Sequence, residues 1–410
     1  MERVIVNQLQ TFLTDHNLIS PSQYGFQKKS STIIQLIDSH SDWLATQNGG
    51  KPTDTIFLDY AKAFDSVSHS KLLLKLHAYG VHNDLWRWFK NFLSNRTQAV
   101  MIDGTLSDTL PVISGTPQGA VCSPLLFLIY INDLPDHIPT PIKCLLFADD
   151  AKLSREIISM ADCVQLQNTL HIVALWSILW QLTLNICKSI VQHFGRGNPQ
   201  YGYHLNNIAL ESSNFVKDLG ITISKDFTYH QHIKEIISAA AKKLFIFRTC
   251  FHSRNILIIK KLFITYIRPS LEYGSVLWNP WSNHEIEQLE NIQHKFMSLT
   301  YKHHVNYDQQ LIDFDLPSLK RRRDEIDLKL YHSILHSKTR IQPTSLFNLN
   351  TRIPRRTNSL AITTPICGTS SYLHSFRVRA IHRWNQLPDN VVLIENSSTF
   401  AKIIASLQII

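Results

Sequence analysis

Apolar positions recur along this chain with two periods, and the periods sort it into helices and strands. Leu9, Phe12 and Leu13 share one helical face near the start. Ser30-Ser31-Thr32 offers helix caps, and Ile33, Ile34 and Ile37 continue a helix until Gly49-Gly50-Lys51-Pro52 breaks it. Between these stretches Gln23-Tyr24-Gly25-Phe26 reads as a turn. The short run Thr55-Ile56-Phe57-Leu58 predicts a strand that leads straight into Asp59. Leu72, Leu73 and Leu76, then Leu85, Trp88, Phe89 and Phe92, predict helices. Residues 100–104 predict a strand and turn, 111–113 a second strand, and 124–134 an apolar helix. The strand Cys144-Leu145-Leu146-Phe147 ends at Ala148-Asp149-Asp150, and Ala151-Lys152-Leu153 resumes as its hairpin partner. Val173, Trp176 and Trp180 mark a helix that Asp162 is expected to cap. After Gly195-Arg196-Gly197-Asn198-Pro199 the composition changes. Residues 232–300 read as helical and basic, and 301–410 as mixed, with breaks at Pro317, Pro343, Pro354 and Pro365. Soft domain boundaries fall near 200 and 300, and there is no internal repeat.

Composition narrows the class. With 410 residues, 44% of them apolar, the chain has enough material for two or three packed domains and is not disordered in bulk. The net charge is +9, and its placement is more informative than its size. Residues 1–200 hold 15 Lys and Arg against 16 Asp and Glu, which leaves 26 basic and 16 acidic side chains for the remainder. A basic half suits contact with a polyanion, since neutralised phosphates release counterions; a solubilising surface explains the same charge equally well. The six cysteines are scattered with no CxxC, as in a reducing compartment, and form neither a disulfide framework nor a zinc finger. The polar N-terminus does not read as a signal peptide. The densest apolar run, Leu125-Leu126-Phe127-Leu128-Ile129-Tyr130-Ile131, is far shorter than the ~20 residues that span a bilayer. The expectation is a soluble intracellular protein without a membrane partner, with nucleus and cytoplasm both open.

The chemistry concentrates at two strand ends. Phe57-Leu58-Asp59 and Leu146-Phe147-Ala148-Asp149-Asp150 each close an apolar strand with aspartate, far apart in sequence. Nucleotidyl transfer needs such a meeting of carboxylates, because two Mg²⁺ ions, with hard oxygen ligands, activate a 3′-hydroxyl and stabilise leaving pyrophosphate. Asp-Asp in a hairpin is by itself ordinary turn chemistry. The flanking words decide between the two. Phe57-Leu58-Asp59-Tyr60-Ala61-Lys62-Ala63-Phe64-Asp65-Ser66-Val67-Ser68-His69 resembles motif A of LINE-type (non-LTR) retrotransposon reverse transcriptases. Ser114-Gly115-Thr116-Pro117-Gln118-Gly119-Ala120-Val121, continuing to Pro135, resembles motif B, and Phe147-Ala148-Asp149-Asp150 resembles motif C. The resemblance runs from Gln23 to about Tyr301 and is strongest to the jockey-like elements of animals. Weaker echoes sit at Ser375-Phe376-Arg377-Val378-Arg379 and Trp384-Asn385-Gln386-Leu387-Pro388.

The resemblance implies an α+β fold: a right-hand polymerase palm, an antiparallel sheet packed on helices, with partial fingers. Residues 1–200 would hold these, 201–300 a thumb-like helical region, and 301–410 a C-terminal region. It implies RNA-directed DNA polymerase activity on an RNA template and DNA primer with deoxynucleoside triphosphates. The cofactor would be two Mg²⁺ ions, with Mn²⁺ as the alternative. By motif position Asp59 and Asp149 would ligate both ions with help from the Tyr60 carbonyl, and Asp150 would be the accessory carboxylate. Phe64 matches the steric gate against a ribose 2′-hydroxyl; alone it would read as a core phenylalanine. Gln118 and Gly119 would lie along the incoming nucleotide. Trp176, Trp180, Leu182, Asn185 and Lys188 resemble motif D, where Lys188 would protonate pyrophosphate, or else be a solvated lysine. Lys217-Asp218-Leu219-Gly220-Ile221 resembles the hairpin that follows. Lys242, Lys243, Arg248, Lys260, Lys261 and Arg268 would track phosphates in the thumb. Lys320-Arg321-Arg322-Arg323 is either a phosphate patch or localisation signal, or part of a solvated helix with internal ion pairs, given Asp324, Glu325 and Asp327. His303-His304 lacks partners at metal spacing. Departures from the family are Gln27 after Gly-Phe where arginine is usual, Cys122-Ser123 in place of Leu-Gly, and no upstream fingers or endonuclease, as in an N-terminally truncated element. A group II intron maturase is a weaker match. The competing reading is a non-catalytic nucleic-acid-binding remnant that keeps the fold. Oligomeric state is not legible.

Overall fold

A computed structural model describes residues 1–350 and 358–407; the break expected at Pro354 lies outside the described residues. Helices and strands mix as an α+β protein. The chain divides into two compact units, Met1–Gln35 with Gly50–Asn214, and Leu36–Gly49 with Phe215–Ile410.

In the first unit α1 (Glu2–Asp15) buries Leu9 and Leu13. α2 (Thr32–Asn48) begins in this unit and passes into the second. β1 (Thr53–Leu58) is followed by α3 (His69–Ala78) and α4 (Asn83–Leu93). Two exposed ribbons come next, β2 (Thr97–Gln98) paired with β5 (Leu110–Pro111), and β3 (Met101–Ile102) paired with β4 (Thr105–Leu106). Then follow α5 (Ser123–Ile131), β6 (Lys143–Phe147), β7 (Asp150–Glu156), α6 (Met160–Trp180) and β8 (Ile190–Phe194). β9 (His204–Leu205) pairs with β10 (Ile208–Ala209), and β11 (Glu211–Ser212) ends the unit. One five-stranded sheet has the order β11-β8-β1-β7-β6 and is antiparallel except for the β11–β8 edge.

β1 lies at the centre of that sheet, so its side chains do not alternate between core and solvent: Thr53, Asp54, Thr55 and Ile56 are all buried. A buried carboxylate must be satisfied, and Asp54 is. Its Oδ1 takes bonds from His193 Nδ1 at 2.6 Å and Asn198 Nδ2 at 2.7 Å, and its Oδ2 takes one from the Tyr203 hydroxyl at 2.6 Å. α5 is apolar all round and accordingly buried. Its start has no side-chain cap of its own; Glu2 Oε2 accepts the N–H groups of Val121 at 2.7 Å and Cys122 at 3.3 Å. α6 corrects one expectation. Ser159, not Asp162, is its N-cap, and Asp162 is the third-residue partner of a capping box. Burial opposes charge on Asp162, but Arg155 and the N–H groups of Ser159 and Ile158 hold its carboxyl down at about 2.

The second unit opens on the hairpin β12 (Phe215–Asp218) and β13 (Ile221–Ser224). Helices follow: α7 (His230–Cys250), α8 (Ile256–Leu262), α9 (Arg268–Glu272), α10 (Ser275–Trp278), α11 (Asn283–Met297), α12 (Tyr307–Phe314) and α13 (Leu319–Leu335), then short helical turns and a ten-residue helix, Ser397–Ser406. α13 corrects the solvated-helix reading of Lys320-Arg321-Arg322-Arg323, because its arginines turn to partners on other elements. Arg322 forks onto Glu272, and Arg321 donates to the carbonyl of Ala405 at 2.6 Å. Arg323 is fully buried, with Nε donating to Asn279 Oδ1 at 3.0 Å. On the same helix Asp327 is gripped twice by Arg379, at 2.8 and 2.7 Å, and Asp324 once by Arg383 at 2.9 Å. The three arginines are internal fasteners, and Arg379 lies in one of the two C-terminal words. Trp384 of the other word is fully buried. Of the basic helical residues, Lys243 donates to the Tyr266 carbonyl at 3.0 Å and Lys260 to the Asp315 carbonyl at 2.9 Å, while Lys242, Arg248 and Lys261 are exposed. Among the described residues no helix is long and apolar enough to cross a membrane, and the six cysteines are free.

A buried cation sits among α3, α5 and α6 of the first unit. Lys75 on α3 is buried, donates to Asp133 Oδ1 at 2.6 Å and to the Tyr130 carbonyl, and lies 3.7 Å from the Trp180 ring centroid. Burial dominates over the pull of Asp133 and drops its ammonium from 10.5 to about 8. Between those values the unfolded chain holds more protons than the folded one, so stability rises with pH there, by at most about 3 kcal/mol. Urea unfolding from pH 7.5 to 10.5 should show this slope, and Lys75→Met should lose it. Equal slopes in the two proteins would contradict the assignment.

Candidate active site

The site grows from the register of three segments. β1 pairs with β7 so that Leu58 faces Ala151, and β7 pairs with β6 so that Phe147 faces Asp150. Carried one residue further, the first register sets Asp59 opposite Asp150. Ala148 and Asp149 are left as the two residues of the tight hairpin turn. Ala148 has φ +56°, a left-handed conformation that costs an alanine about 1 kcal/mol. The turn carrying Asp149 is therefore held in place by its surroundings rather than by its own preference.

A third segment braces Asp59 from the other side. Ala61 N–H donates to the Thr183 carbonyl at 2.8 Å, and Asn185 N–H donates to the Asp59 carbonyl at 2.7 Å. The Asp59 N–H donates to Ser189 Oγ at 3.3 Å. Tyr60 and Leu184 sit opposite each other between these bonds, so the pairing uses neighbouring carbonyls and not that of Tyr60. Lys188, exposed, ends the short 3₁₀ turn Ile186–Lys188 immediately before Ser189. Its backbone thus belongs to the strap that holds Asp59.

The loop from Ser114 to Gly119 docks on the turn from Phe64 to Ser68. Gly115 N–H donates to the Val67 carbonyl at 2.8 Å, and Thr116 N–H to the Phe64 carbonyl at 2.9 Å. Ser114 Oγ donates to the Asp65 carbonyl at 2.9 Å, and Gln118 Nε2 donates to Asp65 Oδ1 at 2.9 Å. His69 Nε2 lies 2.8 Å from the Gly115 carbonyl. Gly115 has φ +85°, and a Cβ on it would lie 2.8 Å from the Asp65 carbonyl oxygen. Gly119 also has positive φ, +82°, but faces open space. Phe64 is half-buried and stacks on buried Phe127, centroids 4.4 Å apart and planes 22° apart.

Electrostatics ties Asp59 to Asp149. The Asp149 carboxyl is held above its ordinary range, first by burial and then by the negative charge of Asp59, against the pull of its own backbone N–H. A divalent cation relieves such repulsion, and two carboxylates are donors of the hard kind that Mg²⁺ takes. Among the described residues no group of three or more His, Cys, Asp or Glu side chains converges as a metal cluster. The structure thus brings Asp59 and Asp149 together, while Asp150 heads β7 as an exposed residue and does not complete a trio.

Several residues with structural claims on this site escaped sequence reasoning. Asp65 anchors Gln118, Ser189 anchors Asp59, and Gln23 bonds the turn before Asp149. Asp65 lies inside a quoted motif word and could have been singled out there. Gln23 and Ser189 carry no local signal.

Residues 1–223 fit the family model described as reverse transcriptase (RNA-dependent DNA polymerase), and the chain belongs to that family. Relatives named for the mobile elements jockey, BS and X-element make it a LINE-type, non-LTR member. It is 28% identical over 306 residues to the RNA-directed DNA polymerase from mobile element jockey of Drosophila melanogaster, covering 72% of this chain and 33% of that one. It is 25% identical over 307 residues to the probable RNA-directed DNA polymerase from transposon X-element of the same species, covering 73% and 34%. The chain spans about a third of the length of these relatives. A solved telomerase from Candida albicans, in complex with a fragment of telomeric RNA, aligns at 12% identity and TM-score 0.43 over 73% of this chain and 56% of that one. A likeness that low decides nothing here.

The docked loop makes a sharp comparison. Gly115→Ala should cost about 2–4 kcal/mol, because left-handed strain adds to a backbone clash, whereas Gly119→Ala should cost about 1 kcal/mol from strain alone. Thermal unfolding of the two variants checks this, and equal losses would contradict the docking.

Proposed function

We propose that this chain carries the polymerase site of a non-LTR reverse transcriptase, copying an RNA template onto a DNA primer from deoxynucleoside triphosphates. The observation that supports it best is the Asp149 carboxyl, held up by burial and by the charge of Asp59 at the joined ends of two strands. Asp59 and Asp149, with the Tyr60 carbonyl, would hold two Mg²⁺ ions, or Mn²⁺ in their place, and Asp150 would add charge nearby. Two such ions, when bound, activate the primer 3′-hydroxyl and stabilise the leaving pyrophosphate.

The remaining roles fall to the chain's own side chains. Phe64, backed by Phe127, is a rigid plate suited to excluding a ribose 2′-hydroxyl. Gln118, oriented by Asp65, and Gly119, open above its backbone, would line the nucleotide. Lys188 would give its ammonium proton to the pyrophosphate. Residues 1–200 would then act as palm and partial fingers, 201–300 as thumb, and 301–410 as a C-terminal region of mixed, mostly helical character.

Primer extension on an RNA template with Mg²⁺ and deoxynucleotides tests the reading. The chain should extend the primer, and Asp149→Ala should lower the rate by at least ~10³-fold. Phe64→Val should narrow the preference for deoxy- over ribonucleotides by about 10- to 100-fold. Extension that survives Asp149→Ala would sink the site. Salt-sensitive binding of RNA–DNA duplex without any extension would favour the non-catalytic remnant instead.

A further inference from the structure

We propose that Gln23 is a positioning residue for Asp149, acting through the backbone of the hairpin turn. The proposal rests on the reading of Asp59 and Asp149 as the cation-holding pair. It starts from an unmet need in the hairpin. Phe147 and Asp150 close the β6–β7 ladder, which leaves the Ala148 N–H no partner inside the hairpin. Ala148 is buried, so that N–H requires a partner from elsewhere.

Gln23 supplies it. Its Oε1 accepts the Ala148 N–H at 3.0 Å and the Gly25 N–H at 2.8 Å, and Gln23 itself is fully buried. The backbone around it is equally fixed. Leu146 N–H donates to the Ser22 carbonyl at 2.9 Å, and Tyr24 N–H donates to the Leu146 carbonyl at 2.8 Å, which makes Gln23 a parallel bridge partner of Leu146. Residues 22–24 therefore run as a short extra strand beside β6, and the Gln23 side chain reaches past the strand end to the turn. At Gly25 the approach is so close that a Cβ would lie 2.5 Å from Ala148 N. None of these bonds touches the Asp149 carboxyl. They hold Ala148 at its left-handed φ, and the next peptide sets where Asp149 begins. An alanine at that φ relaxes if the clasp is removed; a glycine would adopt it unaided.

The test measures Mn²⁺ binding to the full chain by electron paramagnetic resonance, beside urea unfolding of each variant. Asp149→Ala should abolish site binding. Gln23→Met, which keeps the volume and removes the acceptor, should weaken it about tenfold. Gln23→Glu, which restores an acceptor oxygen, should stay within about threefold of wild type. Adding Ala148→Gly to Gln23→Met should recover most of the loss, an effect that a merely structural role for Gln23 would not produce. If Asp149→Ala loses binding while Gln23→Met binds as wild type, the positioning role alone falls. If wild type and Asp149→Ala bind equally, the carboxylate pair falls and the positioning role with it. A measurement without variants covers the case in which Gln23→Met does not fold: the Ala148 amide should exchange with solvent at least about a hundredfold more slowly than in a free peptide. Exchange at the free-peptide rate would overturn the proposal.

Discussion

The antiparallel register of β1 against β7, in which Leu58 faces Ala151, is the constraint from which the site is assembled. The side-chain period of a strand is two, so a slip of one residue would turn Asp59 to the opposite face and part it from the hairpin turn. Burial along β1 resists that slip. Thr53, Asp54, Thr55 and Ile56 are all enclosed, and Asp54 is pinned by three side chains that a shifted strand would leave unpaired. The strand is locked at one end by a fully bonded carboxylate and presents another carboxylate at the other.

Around that lock, the flanking segments brace the backbone beside Asp59 and Asp149 rather than the carboxyl groups of that pair. Ser189 and Asn185 hold the peptide of Asp59, Gln23 holds the peptide before Asp149, and Ser114, Gly115 and Thr116 hold the turn that carries Phe64 and Asp65. The carboxylates themselves remain mutually repelling, which is the electrostatic state suited to a cation. A site of this kind is rigid in its frame and carries repelling charge at its centre. Those are the two properties the proposed chemistry asks of it.

Much of this was legible in the sequence. An apolar run ending in aspartate at Asp59, and another ending at Asp149, marked the two strand ends, and the motif words around them distinguished a site from ordinary turn chemistry. The hairpin 215–224 was legible only through the resemblance of Lys217-Asp218-Leu219-Gly220-Ile221 to a hairpin of the family. What escaped depends on partners remote in the chain. The arginines of α13 read as a phosphate patch, a localisation signal or a solvated run, since nothing local reveals that Glu272 and Asn279 lie against them or that Arg379 and Arg383 take its acids. Ser159 was passed over as a cap because the more acidic Asp162 satisfies the same turn from three residues on. The break of unit within α2 has no signature at all, because the helical period continues through residue 36 without interruption. Gln23 was silent for a similar reason: its role is set by Ala148, 125 residues away.

The central claim is that Asp59 and Asp149 form one cation site on joined strand ends. A crystal structure grown with Mn²⁺ and measured at the manganese absorption edge tests it directly. The account predicts an anomalous peak bonded at about 2.1 Å to a carboxylate oxygen from each of Asp59 and Asp149. A peak bound to only one of them, or none at the strand ends with Mn²⁺ in excess, would contradict it.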